Sequence, residues 1–161
     1  MKKTTYINFI GGPGTGKSTK AAEEFFKMKV MGYDVELVTE VAKDFVWEER
    51  HKTLSIQPYV TFKQYKNLKR IDGKVDFVIT DSPLLLGIVY KRLYNLDISY
   101  NFDLLIKELS DKMGYAHEYR FIKRKHSYNK IGRNEDEEMA KKVDELILEV
   151  LDEFEIQYKT V

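Results

Sequence analysis

The sequence predicts an α/β fold in which a parallel sheet is covered by helices on both faces. Three observations lead there. Five short apolar runs read as strands: Tyr6–Ile10, Val35–Thr39, Phe77–Thr80, Tyr119–Ile122 and Ile156–Val161. Stretches with helical spacing separate them. A glycine-rich stretch, "GGPGTGKST", follows the first run and opens a helical pattern. With 161 residues, 43% hydrophobic and 33% charged, the chain reads as a single domain over 1–161 that can bury its core without staples.

The elements follow in order. After the first strand, a helix is expected from Ser18 to about Met31, with Ala21, Ala22, Phe25 and Phe26 on it and Gly32 as its stop. Two helices, Val41 to Lys52 and Pro58 to Arg70, are inserted between the second and third strands. Two more, Leu84 to Tyr94 and Phe102 to Met113, precede the fourth strand. The last helix has the clearest pattern. Asn134 can cap it with Glu137 at the capping-box position, and Glu135-Asp136 favour the positive dipole end. Met139, Val143, Leu146, Ile147, Val150, Leu151 and Phe154 recur at spacings of three and four and form a core stripe.

Composition closes off several functions. Without cysteine there are no disulfides, thiolate metal sites or cysteine nucleophiles. The apolar run near the N-terminus is too short for a signal peptide, and no stretch approaches a membrane span, so the expected location is the cytoplasm. A net charge of +1 argues against strong generic nucleic-acid binding. A local basic cluster does exist: Arg120, Lys123, Arg124, Lys125, Lys130 and Arg133. His51, His117 and His126 show no metal-ligand spacing.

Gly11 to Ser18 fit G-x-x-x-x-G-K-[ST], a phosphate-binding loop. Gly12, Gly14 and Gly16 allow backbone conformations that aim consecutive N–H groups at an anion, with Thr15 and Thr19 alongside. Lys17 is expected to reach the β- and γ-phosphates of ATP, and Ser18 to ligate Mg²⁺. The helix that follows turns its positive dipole end toward the phosphates.

Two carboxylates end strands. Asp81 closes "KVDFVITDSP" beside the loop, where Mg²⁺ is held directly or through water. It could instead cap the next helix, but Pro83 suits a first turn with Ser82 as the cap, which leaves Asp81 for the metal. Glu40 ends "VELVTE" on the crevice side, where it could take a hydroxyl proton or hold the acceptor. The insertion after it, about 41–72, carries Phe45, Trp47, Tyr59, Phe62 and Tyr65 with Gln57 and Gln64 interleaved. Aromatic faces and amides suit a flat heterocycle, so Phe45, Tyr59 and Gln64 join Glu40 as candidate acceptor contacts. The spacing of Tyr59, Phe62 and Tyr65 equally fits a core-facing stripe.

The stretches "GGPGTGKST", "VTEVAKDF", "FKQYKNLKRIDGKVDFVITDSPLLLGIVY" and "GRNEDEE" together give a resemblance to P-loop nucleoside and nucleotide kinases. The chain is particularly similar to small AAA-labelled proteins of bacteriophages related to the ribosylnicotinamide kinase domain of bacterial NadR. The resemblance implies a three-layer P-loop fold with a five-stranded parallel sheet in the order 2-3-1-4-5. It also implies an acceptor region after the second strand and an arginine-bearing lid at about 124–134, with Arg124 and Arg133 in it and Arg120 flanking. The expected function is transfer of a phosphoryl group from ATP·Mg²⁺ to a nucleoside- or nucleotide-type acceptor. Lys17, Glu40, Asp81, Arg124 and Arg133 would be catalytic, and Arg120 would help hold ATP. Two alternatives are a kinase acting on a hydroxyl carried by DNA, which the net charge does not favour, and a nucleotide-dependent switch.

Overall fold

A computed structural model of the chain describes residues 1–125 and 135–161. Its strands are β1 (Thr5–Ile10), β2 (Val35–Val38), β3 (Phe77–Thr80), β4 (Ala116–Phe121) and β5 (Tyr158–Thr160). Among the described residues they form one all-parallel sheet in the order β2-β3-β1-β4-β5, as the resemblance implies. β1 is central and buried along almost its whole length, as a parallel strand covered on both faces must be. Its side chains alternate between two cores. Ile7 and Phe9 pack with Ala21 and Met28 of α1 (Lys17–Val30). Tyr6 and Ile10 face the larger core, with Ile88 of α5 (Leu86–Leu93), Ile106 of α6 (Asn101–Asp111) and Ile147 of α7 (Glu137–Glu153). The result is three layers.

The first helix ends as expected, and the ends of later helices differ from expectation in instructive ways. α1 stops where Gly32, at φ 83°, takes the left-handed turn; Tyr33 N–H then reaches back to Met28 and Gly32 N–H to Lys29. The single helix expected from Val41 to Lys52 is instead two, α2 (Val41–Trp47) and α3 (His51–Leu54). The same closing motif breaks it, with Glu49 at φ 55° and Arg50 N–H bonded to Phe45. Sequence gave no warning, because glutamate is a poor marker of that turn. α5 begins two residues later than expected, and Ser82 caps nothing: its N–H bonds to Thr80 Oγ1. α7 is capped by Asp136, whose carboxylate accepts from Met139 N–H, not by Asn134, which lies outside the described residues.

The insertion closes over a small core of its own, Val41, Phe45, Leu54 and Val60, with α4 (Gln57–Lys69) as its long member. α4 is pressed hard against α5. A Cβ on Gly87 would fall 2.4 Å from Thr61 Oγ1, so only glycine permits this approach. Among the described residues, no helix is long and apolar enough to cross a membrane.

Candidate active site

The loop between β1 and α1 folds as its glycines dictate. Gly14 and Gly16 sit at φ 79° and 95°, and Gly16 occupies the cap position of α1 without a side-chain cap bond. The first N–H groups of α1 are thus left to an anion, with the helix dipole behind them. Lys17 is buried at the start of the helix and its Nζ donates to the Gly12 carbonyl at 3.0 Å. Thr15 is buried as well, and its hydroxyl also bonds to the Gly12 carbonyl.

Parallel pairing of β1 with β3, in register through Asn8 and Thr80, delivers Asp81 next to this loop. Ser18 Oγ donates to Asp81 Oδ2 at 2.6 Å. Asp81 Oδ1 is buried and has no hydrogen-bond partner among the described residues. A buried carboxylate oxygen left like this is costly unless a cation or a donor meets it. Ser18 and Asp81 are all-oxygen donors of the kind a hard divalent ion takes, so these residues fit Mg²⁺.

Of the expected lid at about 124–134, residues 126–134 lie outside the described residues; Arg120 and Arg124 are described, and each is held by carboxylates away from the cleft lining. Arg124 is tied to the loop and to α7 and does not line the cleft. Its Nη1 donates to the Pro13 carbonyl at 2.8 Å, its Nη2 to the Ala140 carbonyl at 3.1 Å, and its Nε to Asp144 Oδ2 at 3.0 Å. Asp144 Oδ1 in turn accepts the Gly12 N–H at 2.5 Å. Gly12 has to be glycine here, since a Cβ would sit 2.5 Å from the Ala140 carbonyl. Arg120 faces α1, paired with Glu24 at 3.1 Å and with Glu118 at 2.9 Å, and it lies outside the cleft lining. Arg133 lies outside the described residues.

From Lys17, Ser18 and Thr19 a cleft of about 260 Å³ runs on between the insertion and α5. Glu40 opens into it at the end of β2, half-buried. Its carboxyl is pushed above the usual carboxylate range, chiefly by burial and further by Asp81 and Glu135; Lys17 and Lys43 oppose the shift. Deeper in, Gln57, Thr61 and Gln64 of α4 face Tyr90 and Tyr94. Glu135 lines the same space and accepts from Tyr94 Oη at 2.8 Å.

Three acceptor expectations are changed by packing. Phe45 is fully buried in the insertion's own core, under Arg50 and Lys63, and does not line the cleft. Tyr59 is exposed and leans on Phe45 from outside. Gln64 does line the cleft, but its amide is bonded to backbone. Sequence reasoning missed Glu135, Tyr94 and Asp144. Glu135 had only a helix-dipole role, and nothing local ties Asp144 to a glycine 132 residues away.

A family model described as an AAA domain matches residues 6–161. No curated protein is significantly similar in sequence. Among solved structures, the fold is similar to a deoxyadenosine kinase from M. mycoides with bound dATP, at TM-score 0.66 and 18% identity, covering 97% of this chain and 90% of that one. It is equally similar to a thymidylate kinase from Ehrlichia chaffeensis, at TM-score 0.66 and 17% identity over 98% and 92% of the two chains. The chain therefore has the fold of P-loop kinases.

Proposed function

The chain belongs to the AAA-domain family, and from that premise we propose that it is an ATP- and Mg²⁺-dependent kinase acting on a nucleoside- or nucleotide-type acceptor. One observation carries the reading: Glu40 shares a single cleft with Lys17 and Ser18, and Ser18 in turn is bonded to Asp81. A nucleotide switch needs the last three; it does not need a carboxylate with a raised pKa brought into the same cleft from the end of β2. The activities named for the two similar structures support the acceptor class.

In this mechanism the loop amides and Lys17 hold the triphosphate and neutralise charge that builds on its oxygens. Ser18 and Asp81 would hold Mg²⁺, which when bound would supply further charge neutralisation at the phosphates. The acceptor hydroxyl is set in line with the γ-phosphorus. Its oxygen bonds to phosphorus as the bond to the β–γ bridging oxygen breaks; ADP leaves, and the hydroxyl proton goes to Glu40. A raised pKa makes Glu40 a better proton acceptor while it is ionised, and the apolar wall of the insertion keeps competing water away.

The test is Glu40→Gln with acceptors drawn from nucleosides, nucleotides and DNA oligonucleotides, products being identified by mass. ATP·Mg²⁺ affinity should be preserved while transfer to the best acceptor falls about 10²–10⁴-fold. Unchanged binding together with unchanged hydrolysis, and no phosphorylated product from the parent chain, would leave a nucleotide switch. Product on the oligonucleotides alone would make DNA the acceptor.

A further inference from the structure

The β2–β3 ladder ends at the pair Val38 and Thr80. Beyond it no strand pairing holds Glu40 against Asp81. A side chain takes over. Gln64 Oε1 accepts the Val41 N–H at 3.0 Å, while Nε2 donates to the Thr39 carbonyl at 3.3 Å and to the Ser82 carbonyl at 3.1 Å. The partners fix which end of the amide is which: an N–H can face only the oxygen, and two carbonyls only the nitrogen. Thr39 and Val41 bracket Glu40, and Ser82 follows Asp81. The amide stands in for the missing peptide of the ladder.

We propose that Gln64 is a positioning residue that locks Glu40 and the Asp81 loop into one unit through the backbone on either side, and does not itself touch the acceptor. Both Nε2 hydrogens are committed, so little of the buried side chain is left for a ligand. Gln64 is also anchored in its turn. Its helix meets α5 at the Thr61–Gly87 contact, and Thr61 Oγ1 bonds back to the Gln57 carbonyl within α4. Gln57, Val60 and Thr61 of the same helix line the acceptor side of the cleft. An acceptor pressing on α4 therefore acts, through one amide, on the proposed base and on the metal-side carboxylate together.

The catalytic part of this inference rests on the kinase reading; the structural part does not. Two variants separate them. In Gln64→Leu the Val41 amide should lose its protection from hydrogen exchange, and equal protection in variant and parent would overturn the lock whatever the protein's activity. Its kcat should fall by about 10²-fold, the cost of a small misplacement, with ATP affinity and acceptor KM unchanged. A raised acceptor KM with kcat intact would instead make Gln64 an acceptor contact and overturn the proposal. Gln64→Glu keeps an oxygen for Val41 but turns a carboxylate on two carbonyls. Its activity relative to the parent should rise as pH falls and the carboxyl regains a hydrogen to donate; a ratio independent of pH would count against the lock. If the parent chain phosphorylates nothing, the kinase reading fails and Val41 exchange alone decides.

Discussion

In the proposed kinase, most ligand-facing groups on the donor side of the cleft belong to the backbone, presented by Gly14, Gly16 and the first turn of α1, with Lys17 and Ser18 following directly in the chain. On the acceptor side they are side chains brought from far apart: Glu40 after β2, Gln57 and Thr61 on α4, Tyr90 and Tyr94 on and after α5, and Glu135 before α7. The supports differ as well. The donor loop is braced from behind by one cluster, Arg124 and Asp144, which holds Gly12 and Pro13 in place. The acceptor wall is held by the insertion's small core and by the Gln64 amide. A loop made of backbone groups depends little on which side chains surround it, whereas a wall of side chains changes with any of the helices that carry it. Donor recognition can thus stay constant on this fold while acceptor choice varies.

That contrast can be broken by experiment. The largest effect should come from Lys17→Ala, which removes the cation from the triphosphate; transfer should fall by about 10³-fold or more with the melting temperature little changed. Rates near those of the parent chain would remove the donor half from the loop altogether. Next is Phe45→Ala, which empties the insertion's core. It should cost about 3–5 kcal/mol of stability, seen in denaturant unfolding, while exposed Tyr59→Ala should change stability by less than about 0.5 kcal/mol. An acceptor KM that rises in Phe45→Ala without loss of stability would restore Phe45 as a direct contact.

Asp144→Ala tests the brace. Arg124 would lose its carboxylate and Gly12 N–H its acceptor, for a cost of about 2 kcal/mol, or roughly 4–8 °C in Tm. ATP affinity should weaken while acceptor KM holds; the reverse split would place Asp144 on the acceptor side. The smallest effect is that of Glu40→Gln on stability. A carboxyl whose folded pKa is raised stabilises the fold below its unfolded value and loses that contribution as pH rises through the folded value. At neutral pH the ionised Glu40 therefore costs stability, and Glu40→Gln should unfold at a slightly higher temperature than the parent, with the gain vanishing in acid. Transfer should show an acid limb above the ordinary carboxylate range, because the base is lost as pH falls through its raised pKa. A gain in stability that persists in acid would separate the effect from ionisation of Glu40.

Sequence alone determined the sheet, its strands and the donor loop, because each depends on neighbours in the chain. A buried parallel strand must be apolar, and a phosphate nest must have glycine where φ is positive, so both leave a local record in "YINFI" and "GGPGTGKST". The ends of strands on the crevice side were likewise readable, which is why Glu40 and Asp81 could be named. Tertiary structure decided the rest. Phe45 and Gln64 carried the same signal in sequence, an aromatic and an amide within an aromatic-rich insertion. Packing sent one into a closed core and tied the other to three backbone groups. Arg124 read as a lid arginine, and in the structure a carboxylate on α7 and a carbonyl of the donor loop hold it. These fates are set by which partner a side chain meets on another element, from 18 residues away for Gln64 and Ser82 to 111 for Arg124 and Pro13, and hydrophobic period and motif spacing record only what happens within one element.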